Sequence, residues 1–217
     1  MNGGIDMDLP EVNDVLLQFN KLLLLYNSAL KEINTKLEIL NDEFKFVHQY
    51  NPIEHIKSRI KSGESIISKL QRQGRDITLE NIQTYIDDIA GIRVTCSFTT
   101  DIYRIVDMIS SQNDIEVLKT KDYFRDPKPS GYRSYHMIVT VPIFLSDRVV
   151  PTKVEIQIRT VAMDFWASLE HKIYYKYEGN VPEHIRTELR ECSDMASFLD
   201  AKMLALNEEV KEYKGHY

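Results

Sequence analysis

Two segments of the chain concentrate basic side chains in a protein that is acidic as a whole. Residues 57–75 hold six Lys or Arg and one acid, and residues 119–136 hold five bases and two acids. The 217-residue chain has a formal net charge of −6, which argues against a protein that coats nucleic acid nonspecifically. Charge runs often lie on a solvated helix face or in a turn, but ammonium and guanidinium groups also bind phosphates. The two segments are therefore candidate phosphate-binding surfaces.

The first basic segment is predicted to lie on a helix that begins at Asn51–Pro52 and ends near Gly74. Asparagine is a favourable N-cap, and proline is favourable at the first helical position. Lys61, Ser65 and Lys69 are spaced four residues apart, so they would share one face of this helix and offer ammonium and hydroxyl donors to a polyphosphate. The apolar side of the helix would be formed by Ile53, Ile56, Ile60, Ile67 and Leu70.

The second basic segment interleaves bases with aromatic side chains in a predicted loop. Pro127, Pro129 and Gly131 make a continuous strand unfavourable there. Basic groups can hold phosphates while an aromatic face stacks on a nucleobase, although an ordinary turn with exposed tyrosines would have the same composition. The aromatic and imidazole groups are Tyr123, Tyr132, Tyr135 and His136.

Residues 153–159 alternate apolar and polar side chains, which is typical of a strand with one buried face. The polar face presents Glu155, Gln157 and Arg159 in a row. A carboxylate on a rigid strand is well placed to ligate a metal or to act as a base, although three polar groups on a solvent face are also ordinary. Two cationic segments and acids on strands together suggest two phosphorylated substrates and Mg²⁺, because cations must surround both of the mutually repelling substrates.

The elements around these residues predict an α/β (α+β) domain, with a mixed sheet of about four or five strands flanked by helices. We expect strands at 88–98, 115–124, 134–143 and 149–159, and helices at 78–85, 101–112 and 162–177. The last of these helices would turn an apolar face inward, formed by Ala162, Phe165, Trp166, Leu169 and Ile173.

Two further helices are predicted from apolar residues that repeat at alternating steps of four and three. One repeat runs from Val12 to Val47 and the other from Ile185 to Val210. A repeat of this period indicates long helices that pack along a narrow seam. Each helix could pack on its own domain or form an oligomer interface, and the spacing alone favours neither.

The cysteines and the N-terminus indicate a cytoplasmic protein. Cys96 and Cys192 are far apart and form neither a zinc spacing nor a disulfide framework, as is usual in a reducing compartment. The longest apolar run near the start, Leu22–Tyr26, is far too short to span a membrane. We therefore expect no membrane partner. Because the chain has a net negative charge, we also expect no stable nucleic-acid partner.

Five motifs that occur together and in order resemble the synthetase domain of the RelA/SpoT family. They are RIKSGESIISK (59–69), DIAGIR (88–93), SGYRSYH (130–136), EIQIRT (155–160) and AMDFWASLEH (162–171). The short chain is similar to the stand-alone small alarmone synthetases, closest to their RelP-like branch. The resemblance implies a nucleotidyltransferase-like fold and three regions: an N-terminal helical segment (1–50), a synthetase domain (51–180) and a C-terminal helix for oligomerisation (181–217).

The resemblance also implies an activity. Members of the family transfer pyrophosphate from ATP to the 3′-hydroxyl of GDP or GTP, which yields (p)ppGpp and AMP for stringent-response signalling. The chain has no His-Asp dipeptide of a hydrolase, so we expect synthesis without hydrolysis. Small synthetases of this family are typically homotetramers, and we expect the same assembly here.

Roles for individual residues follow from the same resemblance. Asp88 and Glu155 would hold Mg²⁺, and Glu155 would also activate the 3′-hydroxyl. The ATP site would comprise Arg59 and Arg93 beside the adenine, with Lys61, Ser65 and Lys69 on the phosphates. The GDP or GTP site would comprise Tyr132 stacked on guanine, Asp164 at the guanine edge, and Lys121, Arg125, Lys128, His136 and Gln157.

Two other functions remain open at this point. A nucleotidyltransferase of similar fold would use a Gly-Ser pair before an Asp-x-Asp motif, whereas the sole Asp-x-Asp of this chain is Asp6–Asp8. A non-catalytic nucleotide-binding helical adaptor would rely on the two long helices and would tolerate loss of Glu155. The products distinguish all three, because pyrophosphate transfer releases AMP, nucleotidyl transfer releases pyrophosphate, and an adaptor releases neither.

Overall fold

The computed structural model describes residues 9–176 and 181–214, where it contains five strands and six helices. The strands are β1 (Ile53–Ile60), β2 (Ala90–Cys96), β3 (Glu116–Asp122), β4 (Tyr135–Phe144) and β5 (Val149–Thr160). The helices are α1 (Leu9–His48), α2 (Gly63–Arg72), α3 (Leu79–Tyr85), α4 (Thr99–Ser110), α5 (Val161–Lys176) and α6 (Glu183–Lys214). Three features considered above lie outside the described residues: Asp6–Asp8, the side chain of Val12, and residue 177.

The strands form one mixed sheet in the order β1-β2-β5-β4-β3. The central strand β5 is parallel to β2 and antiparallel to β4, and both edge strands pair antiparallel with their neighbours. The predicted mixed sheet flanked by helices is therefore confirmed, and so are the two long helices near its ends.

Strand alternation separates a core face of the sheet from a polar face. Ile92, Met137 and Ile156 on three adjacent strands are fully buried, and they share one hydrophobic core with the buried residues of α1 and α4. Successive side chains of a strand point to opposite faces, so Arg93 and Gln157 lie on the other side. The sheet therefore carries its polar groups on the face that the main core leaves open.

The helix predicted to begin at Asn51–Pro52 is wrong in its first half, because residues 53–60 form strand β1. The register between β1 and β2 shifts between Ile53 and His55, so β1 contains one extra residue there. Such a bulge brings residues three apart onto one face of a strand, and Ile53 and Ile56 are spaced in this way. The bulge thus gives a strand the apolar spacing of a helix.

The helical half of this segment begins only at Gly63, with the Ser62 side chain as the N-cap acceptor. Lys61 therefore precedes the helix, and the single helix face predicted for Lys61, Ser65 and Lys69 is wrong for Lys61. The later helices and strands lie within a few residues of their predicted bounds, and the predicted short helix at 78–85 begins with Thr78 as its cap.

The apolar face predicted for α5 is buried only in part. Trp166 is buried and donates its indole N–H to the Leu189 carbonyl of α6 at 2.7 Å. Phe165, Leu169 and Ile173 are exposed, so the inward orientation predicted for them is wrong. This side of α5 is therefore only partly covered within a single chain.

The two long helices use their apolar repeats differently. Tyr26, Ile33 and Leu37 of α1 are buried in the core with the sheet, so the middle of α1 packs on its own domain. On α6, Leu199 is 52% exposed and Leu206 is 47% exposed. The apolar repeat of α6 therefore continues past the part that packs within the chain.

The remaining expectations about compartment concern cysteines and membranes. Both cysteines are free; Cys96 is buried and Cys192 is exposed. Within residues 9–176 and 181–214, none of the helices has the length and apolarity required to cross a bilayer.

Candidate active site

Glu155 lies where two pockets meet on the polar face of the sheet. Its strand β5 holds Gln157 and Arg159 on the same face, as the alternation predicted, while Ile156 and Ile158 between them are fully buried. The central position of β5 in the sheet fixes this row on a rigid support.

The first pocket has a volume of about 250 Å³ and contains the two arginines predicted to flank adenine. Arg59 on β1 is paired in register with Gly91 on β2, and Gly91 is paired in turn with Glu155 on β5. The sheet itself therefore sets the spacing between these arginines and the carboxylate. The lining residues are Lys57, Ser58, Arg59, Gly91, Ile92, Arg93, Glu155 and Gln157.

The second pocket has a volume of about 260 Å³ and is dominated by cationic side chains. It brings together Lys69 of the first basic segment with Lys121, Lys128 and His136 of the second. Glu155 lines this pocket as well as the first. The remaining lining residues are Asp87, Asp88, Lys119, Thr120, Tyr123 and Ile138.

Asp88 is the point where two of the three ammonium groups of the first basic segment converge. Lys61 Nζ lies 2.9 Å from Asp88 Oδ2, and Lys69 Nζ lies 2.8 Å from Oδ1. Burial alone would raise the pKa of Asp88, but the hydrogen bonds and charges of Lys69 and Lys61 outweigh burial and leave the pKa below its ordinary value. Asp88 is therefore ionised at neutral pH and holds both lysines; Asp88 and Lys69 line the second pocket, whereas Lys61 lines neither of the two pockets.

Glu155 is also held in its ionised form, but by different neighbours. His136 Nδ1 lies 3.2 Å from Oε1, and Gln157 Nε2 donates to Oε2 at 2.9 Å. Burial by itself would raise the pKa of Glu155, and the hydrogen bonds from His136 and Gln157 lower it below its ordinary value. A buried, ionised carboxylate at the junction of two pockets can accept a proton or ligate a cation.

Tyr132 lies in the predicted loop with its hydroxyl turned toward the polar row. The hydroxyl accepts a hydrogen bond from Arg159 Nη2 at 2.6 Å and lies 2.8 Å from His136 Nε2. Lys128 Nζ lies 4.7 Å from the centroid of the Tyr132 ring. The ring is thus already a platform for a cationic group, and its hydroxyl is part of the site.

Helix α6 holds this loop from outside. Ser193 Oγ donates to the Gly131 carbonyl at 2.5 Å, and Arg190 Nη1 donates to the Pro129 carbonyl at 3.1 Å. Gly131 has a φ of 90°, and a Cβ at this position would lie 2.8 Å from the Ser193 Cβ. The loop therefore requires glycine both for its backbone and for its approach to α6.

Three predicted site residues have other neighbours. Asp164 Oδ1 accepts a hydrogen bond from Arg159 Nη1 at 3.2 Å and forms an ion pair with Arg93 Nη1 at 3.2 Å, so the carboxylate predicted to contact guanine already holds two guanidinium groups. Arg125 is exposed outside both pockets and is paired with Asp122 at 3.6 Å. Ser65 is exposed in the first turn of α2, where its hydroxyl accepts from Ser62 at 2.9 Å.

Two of the residues that the sequence did not assign to the site carry a positive charge and belong to it by position. Lys119 lines the second pocket, and the side chain of Arg159 is only 5% exposed while contacting three polar side chains of the site. Both had a signal in the sequence, because Lys119 opens the second basic segment and Arg159 completes the polar row of β5.

The carboxylates of the site fit the modest protein ligand set that Mg²⁺ uses. Asp88 and Glu155 line the same pocket, and the negative charge of Asp88 acts to raise the pKa of Glu155. No group of three or more acidic, His or Cys residues with metal-site geometry occurs within the part of the chain that the structure describes. Mg²⁺ commonly takes one or two carboxylates together with substrate phosphates and water, and this donor set suits that mode.

Comparison with known proteins places these features in a family. Residues 58–180 match the family model described as "Region found in RelA / SpoT proteins". The chain is 52% identical over 168 residues to GTP pyrophosphokinase YwaC of Bacillus subtilis, which covers 77% of this chain and 80% of that protein. It is 39% identical over 174 residues to GTP pyrophosphokinase YjbM of the same organism, with 80% and 81% covered.

Solved structures agree with the sequence comparison. Small alarmone synthetase 2 from Bacillus subtilis superposes with a TM-score of 0.81 at 48% identity, covering 88% of this chain and 98% of that chain. Small alarmone synthetase 1 from the same organism, bound to its product pppGpp, gives a TM-score of 0.82 at 38% identity and covers 89% and 98%. The RelP-like branch stays a prediction, but the family is established: the chain belongs to the RelA/SpoT family.

Proposed function

We propose that this chain is a GTP pyrophosphokinase that makes (p)ppGpp from ATP and GDP or GTP. The observation that carries the proposal is the position of Glu155, a single ionised carboxylate that lines two adjacent cationic pockets. Two phosphorylated substrates bound in these pockets would meet at this carboxylate. The relatives named GTP pyrophosphokinase and the alarmone synthetase structures support the same activity.

The first pocket would take the adenosine part of ATP. Arg59 and Arg93 line it, and planar guanidinium groups stack well on a nucleobase. The phosphates would extend toward Lys61 and Lys69, with the Ser65 hydroxyl as a further donor at the start of α2. A related synthetase has been solved with AMPCPP, an ATP analogue.

The second pocket would take the acceptor nucleotide. Lys121, Lys128 and His136 line it and would face the GDP or GTP phosphates, with Arg125 able to approach from the rim. The Tyr132 ring would stack on guanine after the Lys128 ammonium moves from the ring to a phosphate. Gln157 and Asp164 would complete this site. Asp164 would have to contact guanine while it remains paired with Arg93 and Arg159.

Mg²⁺ would be held by Asp88 and Glu155. When bound, it would neutralise charge that develops on the transferred phosphates. Asp88 is already ionised and positioned by its two lysines. Those lysines would then also face the ATP phosphates, so the same ammonium groups position the carboxylate and the substrate.

The chemistry that this geometry supports is an in-line displacement. The 3′-hydroxyl oxygen of GDP or GTP forms a bond to the β-phosphorus of ATP, and the bond from that phosphorus to the α,β-bridging oxygen breaks. AMP leaves with that bridging oxygen, and Glu155 takes the proton of the hydroxyl. The hydrogen bonds from His136 and Gln157 hold Glu155 ionised for this step.

Assembly and compartment complete the proposal. The half-exposed apolar residues of α6 support a homotetramer in which the long helices meet between subunits. A cytoplasmic location fits the free cysteines and the nucleotide substrates. Synthesis without hydrolysis stays an expectation.

The test is to identify the products of the purified chain incubated with ATP, Mg²⁺ and GDP or GTP. We expect AMP together with a guanosine nucleotide that has gained two phosphates, resolved by anion-exchange chromatography. Release of pyrophosphate would instead show nucleotidyl transfer, and binding of both nucleotides without turnover would show an adaptor. Either of these results would reject the proposed function.

A further inference from the structure

The polar side chains around Glu155 close into a ring of hydrogen bonds. Arg159 Nη2 donates to the Tyr132 hydroxyl at 2.6 Å and to Gln157 Oε1 at 2.9 Å. Gln157 Nε2 donates to Glu155 Oε2 at 2.9 Å. On the other branch, the Tyr132 hydroxyl lies 2.8 Å from His136 Nε2, and His136 Nδ1 lies 3.2 Å from Glu155 Oε1. Both branches therefore lead from one guanidinium to the two oxygens of one carboxylate.

Arg159 fixes the direction of the bonds on the Gln157 branch of this ring. Arginine has five N–H donors and no acceptor, so the Tyr132 oxygen and the Gln157 carbonyl must both accept from it. The Gln157 amide group must then present its NH₂ to Glu155. On the other branch, an ionised carboxylate only accepts hydrogen bonds, so His136 donates to Glu155 through a proton on Nδ1. Reversing the Gln157 amide would leave two donors facing each other at Arg159 and two acceptors facing each other at Glu155.

Arg159 is itself held firmly. Its side chain is 5% exposed, and Nη1 donates to Asp164 Oδ1 at 3.2 Å. Its Nε has no hydrogen-bond partner among the described residues, so the guanidinium is retained in this position although one donor is unsatisfied. Burial of a charged group with this many directed contacts gives it little freedom to adopt another rotamer.

We propose that Arg159 is a positioning residue for the transfer step, and this rests on the proposed function. It acts through Tyr132 and Gln157 and fixes both oxygens of Glu155 at the junction of the two pockets. It lines neither pocket itself, so its loss should affect turnover more than binding. Lysine cannot replace it, because one ammonium group cannot match the planar fork that reaches Tyr132, Gln157 and Asp164.

The kinetic test uses Arg159→Lys, Tyr132→Phe and the double variant. We expect Arg159→Lys to lower kcat about 10- to 100-fold, as small misplacements of reacting groups do, with the KM for ATP changed less than about threefold. The double variant should have nearly the kcat of Arg159→Lys alone, because residues in one hydrogen-bond network are not additive. Multiplicative losses, or a change in KM alone, would overturn the proposal. Arg148→Lys in the exposed hairpin between β4 and β5 is the matched control and should leave kcat unchanged.

A spectroscopic test does not depend on activity. Nitrogen-15 chemical shifts of the His136 ring show which of its nitrogens carry a proton. We expect the parent to carry a proton on Nδ1, which faces Glu155. Arg159→Lys, with unchanged circular dichroism, should lose part of this proton because Glu155 is then less firmly positioned. A parent without a proton on Nδ1, or a variant that keeps it fully, would refute the role of Arg159 even if the enzyme is active. Loss of this proton in the variant, together with no AMP production by the parent, would support the role and reject the proposed function instead.

Discussion

Among individual residues, Asp88 shows how the site depends on the ionisation of a carboxylate. Burial acts to raise its pKa, and the hydrogen bonds and charges of Lys69 and Lys61 bring it below the ordinary value. A carboxyl group with a lowered pKa in the folded state stabilises the fold above its unfolded-state pKa. This contribution is lost as the pH falls through the folded-state pKa.

We therefore predict that Lys69→Met lowers the free energy of unfolding at neutral pH by about 1 kcal/mol, the size of a partly exposed charged hydrogen bond. The difference from the parent should shrink as the pH falls below the ordinary range of aspartate, because Asp88 then becomes neutral in both proteins. Urea unfolding at a series of pH values measures this. Lys31→Met on the exposed side of α1 is the control, and a Lys69→Met difference that does not change with pH would contradict the prediction.

Glu155→Gln tests the carboxylate at the junction of the pockets. The amide keeps the size of the side chain but cannot take the proton or supply a negative charge to a cation. We expect turnover to fall at least about 100-fold, the low end for loss of a general base, while calorimetry shows both nucleotides still binding. Glu38→Gln on an exposed part of α1 should leave turnover unchanged. Turnover of Glu155→Gln within a few-fold of the parent would exclude Glu155 as the base.

Tyr132 combines a ring and a hydroxyl with separable effects. Tyr132→Ala removes the ring, so we expect acceptor binding to weaken by roughly 1–3 kcal/mol if the ring stacks on guanine. Tyr132→Phe keeps the ring and should bind the acceptor almost as well, but it should turn over more slowly because the bonds to Arg159 and His136 are lost. Titration calorimetry and steady-state kinetics separate the two effects. Equal weakening of acceptor binding in both variants would show that the hydroxyl, and not the ring, holds the acceptor.

The sequence identified the charged residues of the site more successfully than it identified which side chains they contact in the folded structure. Alternation along β5 was sufficient to place Glu155 and Gln157 on one face. It could not show that Asp164 holds two arginines or that Arg159 is buried among polar groups, because Asp164 comes from a helix and Tyr132 from a loop. Contacts between separate elements depend on packing, which spacing along one element does not contain.

Among the structural elements, the contact between α6 and the loop at Pro129–Gly131 links the candidate acceptor site to the outer helix. Gly131→Ala would force an unfavourable backbone conformation at φ 90° and a clash with Ser193. We expect a loss of about 1–3 kcal/mol in stability and a higher KM for GDP or GTP, with the KM for ATP nearly unchanged. Thermal unfolding and initial-rate kinetics measure both.

Gly63→Ala is the matched control for that substitution. Its Cβ would lie 3.9 Å from Phe19, which is ordinary contact, and its φ is not in the left-handed region. We expect this variant to keep both KM values and to be at least as stable as the parent, because alanine favours a helix over glycine. Should Gly131→Ala raise both KM values equally, the loop would not be specific to the acceptor.

The error in the sequence analysis at β1 has a definite physical cause. A one-residue bulge changes the spacing of apolar residues on one face of a strand from two or four to three. Residues 53–60 follow Asn51–Pro52, so this segment has both a favourable helix N-cap before it and apolar residues at the spacing of a helix. Pairing with β2 decides the outcome, and this pairing joins residues 30 to 43 positions apart in the sequence.

For the whole molecule, the apolar surface of α5 and α6 underlies the expected assembly. The two helices enclose a groove of about 710 Å³ that is lined mainly by apolar side chains, including Phe165 and Leu199. Such a surface is costly to leave in water. The sequence predicted the apolar repeat of α6. It could not show that the part of this helix with Leu199 and Leu206 is exposed, because that depends on where the sheet ends.

We predict that replacing Leu199 and Leu206 with Asp breaks the proposed tetramer, because charges in an apolar interface are costly unless they are paired. Light scattering should give a smaller mass for the double variant than for the parent. Phe144→Asp, at an exposed end of β4, is the control and should leave the mass unchanged. A parent that is monomeric at micromolar concentration would show that this surface does not assemble.

The alternation along β5 also limits how the length of the chain can vary. Glu155 and Gln157 are in register with β2 on one side and with β4 on the other, and Arg159 is in register with β2. One inserted or deleted residue within 155–159 would turn every following side chain to the opposite face, placing isoleucines in the pockets and charges in the core. The edge strand β1 absorbs an extra residue as a bulge, and the turn between β4 and β5 can do so as a longer loop. Changes of length are therefore compatible with function at the margins of the sheet and incompatible with it along the central strand.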